Sequence, residues 1–194
     1  MNLLAHAYLS LGNADILTGN MIGDFVKGNK KYNYPDTIRR GIELHRSIDA
    51  FTDTHEATKK IKSLFRPMYG LYSGAFVDIV YDHFLANDVK LFNNEGVFFD
   101  FTQHIYNQLS TRKSYFPEKF EFMFSRMCEQ NWLYHYRFDE GIEQSFTGLM
   151  RRARFINQID DAFTIFKQNK SLLKIGYDAF FPDINNHVLL FLKE

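Results

Sequence analysis

With 194 residues, 45% of them hydrophobic and 24% charged, the chain has the length and balance of one globular domain that buries about 70% of its unfolded surface. Basic and acidic residues are equal at 23 each, so no global field favours nucleic acid or an anionic membrane. The single cysteine, Cys128, excludes an internal disulfide and reads as a small core residue; with no leader-like start and no run near the ~20 apolar residues of a membrane span, a soluble cytoplasmic protein is expected.

Helical periodicity dominates the chain. Residues 2–10 suit a short helix, and Asn13 caps a second that runs to about Gly28. A loop-like stretch from Gly28 to Tyr34 leads to Pro35, which opens a third helix ending near Thr52. A fourth covers 55–66 and stops at Pro67. The next, over 71–88, holds the run Phe76 to Leu85, where Asp78, Asp82 and His83 interrupt apolar residues. Helices over 97–109, 117–130, 137–154 and 158–179 follow, the last ending before Pro182. Phe120, Met123, Phe124 and Met127 have the spacing of a core stripe. Period-two alternation is scarce and no repeat or linker interrupts the pattern, so residues 1–194 read as a single all-α domain, a helical bundle.

The informative residues are polar side chains at core positions. Asp78 and Asp82 stack on one helical face with Leu71, Ala75 and Leu85. An unpaired buried carboxylate costs several kcal/mol, against the roughly 5–15 kcal/mol by which a domain is stable. A metal ion, an Arg or Lys, or a charged His must therefore meet these acids. The same anomaly recurs elsewhere. In the third helix the stripe Ile38, Ile42 passes into His45 and Asp49, with Arg46 beside them and Asp53 at the same end. In the second, Asp24 follows Leu17 and Met21, with Asn20 one turn earlier and Gly19 and Gly23 leaving room for a close neighbour. In the first, His6 lies among Leu3, Leu4, Ala7 and Leu9.

Four helices thus present metal-competent side chains: His6, Asp24, His45 with Asp49, and Asp82 with His83. A mixed imidazole and carboxylate donor set suits manganese, iron, nickel or zinc. Each residue also has a structural reading, as a hydrogen-bonded core histidine or an ion pair with Arg or Lys. Four unrelated polar cores in one small domain would be costly, which favours a shared site. His55, His104, His135 and His187 fall in polar surroundings and read as surface residues. Phosphate-loop, dinucleotide-turn, nucleophile-elbow and His-Glu-x-x-His patterns are absent.

Several strings occur in one order along the chain: Asn2-x-Leu4-Ala5-His6, Gly19-Asn20-x-x-x-Asp24-Phe25-Val26-Lys27-Gly28-Asn29, Gly41-Ile42-x-x-His45-Arg46-x-Ile48-Asp49-x-x-Thr52-Asp53 and Asp82-His83-Phe84-Leu85. Trp132-Leu133-x-x-Tyr136-Arg137 and Gly148-x-Met150-x-Arg152 follow. In these the chain resembles the acyl carrier protein phosphodiesterases, viewed as atypical relatives of the HD-type metal-dependent phosphohydrolases. The resemblance implies an HD-domain-like all-α fold. It also implies hydrolytic removal of 4′-phosphopantetheine from holo acyl carrier protein, with manganese as the associated ion. One departure stands out: the HD signature places His before Asp, whereas this chain reads Asp82-His83.

On this reading Asp24, His45, Asp82 and His83 ligate the metal, with His6 as a fifth ligand. Asp49 orients His45 or moves a proton, and Arg46 or Lys27 neutralises charge on the phosphoryl oxygens. Asn20, Asp78 and Asp53 support these groups from behind. An acidic carrier protein calls for a basic docking surface, and the candidates are Arg39 and Arg40 on the third helix and the run Arg151, Arg152, Arg154. The alternatives are an HD-like phosphohydrolase for another phosphodiester or nucleotide, and a non-catalytic helical module.

Overall fold

A computed structural model describes residues 1–152 and 160–193. Eleven α-helices and four short 3-10 turns make up the regular structure of these residues, with no strand among them. In chain order the helices are α1 (Leu3–Tyr8), α2 (Ala14–Ile22), α3 (Asp36–Thr54), α4 (Glu56–Tyr69), α5 (Ser73–Ala86) and α6 (Glu95–Ser110). Then come α7 (Glu118–Glu129), α8 (Trp132–His135), α9 (Asp139–Arg152), α10 (Asp160–Gln168) and α11 (Lys170–Lys193). The expected all-α class holds, and no described helix is long and apolar enough to cross a membrane.

Helix α5 is the axis of the bundle. From Phe76 to Ala86 every residue except Asp78 is buried. A helix apolar on all sides needs neighbours on all sides, and α1, α4, α9 and α11 supply them. Aromatic rings fill the seams: Phe65 stacks on Phe76 with centroids 5.5 Å apart, Phe146 meets Phe76 edge-on at 5.2 Å, and Tyr81 stacks on Phe180 at 4.7 Å. On α7, Phe120, Phe124 and Met127 are buried and Met123 half-buried, so that stripe is core, whereas Cys128 is exposed rather than a core residue.

Some boundaries differ from the sequence pattern for identifiable reasons. Asn13 does cap α2, accepting from the Asp15 and Ile16 amides at 3.0 and 3.1 Å. The helix stops at Ile22, however, and the chain tightens into a 3-10 turn, Gly23–Phe25, that carries Asp24 out of the helix. Helix α4 runs through Pro67 and α11 through Pro182. Both prolines are exposed, and so are Ser63 and Asp178, the residues one turn earlier whose carbonyls they leave unbonded. Burial of Tyr69 in α4, and of Phe181, Ile184 and Val188 in α11, outweighs the ~3 kcal/mol that a helical proline costs. Leu71 precedes the start of α5 and is 98% exposed, so it belongs to no core face.

Helices α2 and α3 approach more closely than side chains permit. A Cβ on Gly19 would lie 2.0 Å from the Ile38 carbonyl oxygen, and one on Gly41 2.3 Å from that of Ile16. These obstacles are backbone atoms and cannot rotate away. Gly41→Ala should therefore force the helices apart and cost about 1–3 kcal/mol, the usual penalty for overpacking. In thermal unfolding the midpoint should drop by several degrees; an unchanged midpoint would show that the contact is slack.

Candidate active site

The close approach of α2 and α3 puts one residue, Asn20, between two histidines. Its amide nitrogen donates to the His6 carbonyl at 2.8 Å and to Ser10 Oγ at 3.1 Å, leaving Oδ1 as an acceptor 2.7 Å from His6 Nδ1. Its backbone carbonyl lies 2.8 Å from His45 Nδ1. Both acceptors require an Nδ1–H, so each ring is left with Nε2 as its lone-pair nitrogen. The imidazoles stack with centroids 4.1 Å apart and planes 16° from parallel. Gly23 makes this stack possible, since a Cβ there would lie 2.3 Å from His45 Cγ.

Carboxylates surround the two Nε2 atoms. His6 Nε2 is 3.3 Å from Asp49 Oδ1, and His45 Nε2 is 3.2 Å from Asp49 Oδ2 and 3.3 Å from Asp24 Oδ1. Both nitrogens are buried, and neither has a hydrogen bond of acceptable geometry. Lone pairs aimed at carboxylate oxygens repel unless a cation sits between them. The protein's own remedy is a proton on His45: burial opposes it, but Asp24 and Asp49 outweigh burial and raise the His45 pKa to about 9. His6 is driven down to about 4 by burial and by the charge on His45. Burial also works against Asp49, yet His45, His6 and the Met1 amino group hold it far below the usual carboxylate range. Contact with His45 lowers Asp24 as well. Donor atoms of His6, His45 and Asp49 lie within 4.8 Å of one another, a separation one divalent ion can span. Asp49 is 39% and Asp24 75% exposed at the side chain, so the cluster opens to solvent on the carboxylate side.

The structure brings His6, Asp24, His45 and Asp49 together and sets Asp82 and His83 apart from them. Asp82 is fully buried, but its oxygens accept from the Leu4 and Ala5 amides at 2.8 and 3.0 Å. It caps the first turn of α1 from across the bundle, in place of the expected ligand role, and burial raises its pKa to about 8 against those two bonds. His83 faces the other way: Nδ1 donates to the Tyr136 carbonyl at 2.9 Å, Nε2 lies 3.8 Å from Asp139, and the ring meets Phe166 edge-on. Asp78 reaches the cluster through the Met1 amino group, which lies 3.3 Å from Asp78 and 3.1 Å from Asp49.

Arg46 donates to the Val26 carbonyl at 2.9 Å and so braces the turn that carries Asp24, while Lys27 on that turn is exposed. Asp53 pairs with Lys62 at 2.6 Å; Lys62 was hidden in the pattern because its partner lies on a different helix. Of the expected docking residues, Arg39 pairs with Asp36 at 3.0 Å and Arg40 donates to the Phe191 carbonyl at 2.9 Å. Arg151 is exposed, Arg152 is described only as the last residue of α9, and Arg154 lies outside the described residues.

Fold and cluster together define an all-helical protein with a histidine and aspartate centre competent to bind a metal. The chain belongs to the acyl carrier protein phosphodiesterase family, whose model matches residues 1–184. It is 31% identical over 183 residues to a Photorhabdus laumondii protein named acyl carrier protein phosphodiesterase, covering 94% of this chain and 92% of the relative. A Yersinia pestis protein of the same name is 29% identical over 182 residues, covering 94% of each chain. No solved structure matches the chain. Membership makes it a phosphodiesterase, a hydrolase of phosphoric diesters.

The cap and the bridge make opposite forecasts for metal titration by calorimetry. Asn20→Ala frees the His6 ring, while His45 keeps its bond to the backbone carbonyl of residue 20, and should weaken manganese binding about 10–100-fold, whereas Asp82→Asn should lower thermal stability and leave manganese affinity near wild type. Binding to the wild-type protein should strengthen as pH rises toward about 9, where His45 gives up the competing proton. Loss of metal in Asp82→Asn alone would return that residue to the ligand set.

Proposed function

We propose that this chain hydrolyses the phosphodiester joining 4′-phosphopantetheine to a serine of holo acyl carrier protein, releasing the apo protein. Water adds to phosphorus, the bond from phosphorus to the serine oxygen breaks, and that oxygen leaves as a hydroxyl. Support comes from family membership and from one observation above the rest: two buried Nε2 nitrogens, on rings each held by Asn20, aimed at carboxylates with no hydrogen bond of acceptable geometry between them. His6, His45 and Asp49 would hold a divalent ion, manganese by first choice, with Asp24 at its exposed edge. Such an ion lowers the pKa of water and offsets charge on phosphoryl oxygens.

The chain's own residues supply the rest. Asn20 keeps both imidazoles in the tautomer that can ligate. Asp49 spans the two rings and fixes their separation. Asp24, the most exposed of the four, takes the proton that water releases and passes it to the departing serine oxygen. Lys27 and Arg46, on and beside the same turn, meet the anionic phosphate. Turnover on a carrier protein of lipid synthesis would place the enzyme in the cytoplasm.

Mass spectrometry of holo acyl carrier protein incubated with the enzyme and manganese tests the reading. The carrier should lose the mass of the whole phosphopantetheine group, and His45→Ala should slow the loss at least ~100-fold, as removal of a metal ligand does. An intact carrier, alongside hydrolysis of a small diester, would assign the site to another phosphodiester.

A further inference from the structure

Helix α4 carries four cations, Lys59, Lys60, Lys62 and Arg66, against one acid, Glu56. Its buried face is Thr58, Ile61, Phe65 and Tyr69. Lys59, Lys62 and Arg66 are spaced i, i+3 and i+7, so they form one stripe along a flank of that face, while Lys60 falls on the other side. Its middle residue, Lys62, ties the stripe to the surroundings of the candidate active site. Lys62 is mostly covered, pairs with Asp53 at the end of α3, and lies over the start of α5, where a Cβ on Gly74 would sit 3.2 Å from its Cε. From there its charge acts on Asp78, which is joined to Asp49 through the Met1 amino group.

Away from the site the stripe stays available. Lys59 pairs only with Glu56 one turn earlier, at 2.7 Å between two exposed side chains, a contact worth little in water. Arg66 is exposed and has no ion pair among the described residues. Three other basic side chains are engaged in ion pairs within the fold: Lys31 with Glu43, Arg112 with Asp15, Lys170 with Asp139. Past Arg66, Leu71 stands 98% exposed in the α4 to α5 turn, an apolar anchor at the far end of the cationic stripe.

We propose that this flank of α4 is the docking surface for the acidic carrier protein, with Lys59 and Arg66 meeting its acidic side chains while the serine-linked phosphate reaches the histidine and aspartate cluster. The proposal rests on the reading of the substrate given above, and assigns docking to α4 in place of Arg39, Arg40 and Arg151. Charge complementarity identifies the occupant, since a cationic stripe that leads into a phosphodiesterase site suits an acidic protein carrying the diester.

The test is steady-state kinetics of a Lys59→Glu, Arg66→Glu double variant on holo acyl carrier protein and on bis(p-nitrophenyl) phosphate. At low ionic strength KM for the carrier should rise ~10-fold or more with kcat within about twofold, as loss of peripheral charge complementarity slows encounter. The difference should shrink in high salt, and hydrolysis of the small diester should not change. A neutral Lys59→Gln, Arg66→Gln variant should shift KM in the same direction by less, which covers the case of a misfolded double Glu variant. An unchanged KM in a folded variant, or equal loss on both substrates, overturns the docking surface alone. A wild-type enzyme that leaves holo carrier protein intact overturns the substrate reading beneath it.

Discussion

Both histidines depend on the two hydrogen bonds that Asn20 accepts, one at its side chain and one at its backbone. A side-chain amide fully committed on its nitrogen leaves only oxygen for His6, and a backbone carbonyl can only accept from His45. Neither imidazole can turn over without leaving a buried donor or acceptor unmatched, at about 1–3 kcal/mol each. The glycines make this geometry attainable. Without the backbone contact at Gly19 and Gly41 the Asn20 carbonyl could not reach α3, and without Gly23 the His45 ring could not lie flat against the turn. Packing at the level of single missing methyl groups thus sets the direction of two nitrogen lone pairs.

Asp82 shows a second way of settling a buried acid. Its environment offers helix α1 in place of a metal: two first-turn amides that have no partner within their own helix and carry the positive end of its dipole. The bond network satisfies the amides more completely than it satisfies the acid, whose pKa burial still raises to about 8. Through α1 this cap fixes the helix that bears His6, so the central helix α5 serves the cluster by anchoring its neighbour.

Helical periodicity made the bundle legible, because α3 and α7 bury the residues that recur on one face. The same reasoning singled out His6, Asp24, His45 and Asp49, since each is a polar group in an apolar stretch. For Asp82 and His83 it could not name the partner, for a physical reason: periodicity says that a side chain is buried and says nothing of what it meets. Asp82 meets a helix end, and His83 a carbonyl from the far side of α5. The proline boundaries failed in the same manner. Local chemistry at Pro67 and Pro182 argues for a stop, and burial contributed by distant residues overrides it. The family's order of motifs covers much the same residues, and the α4 stripe lies outside them because its meaning depends on where Lys62 points.

If two Asn20-held imidazoles share one cation, electron spin echo spectroscopy of the manganese-loaded protein reads it most directly. The account predicts nitrogen couplings from two histidines, reduced to one in His6→Gln. A manganese signal free of histidine nitrogen, or one indifferent to both His6 and His45, would contradict it.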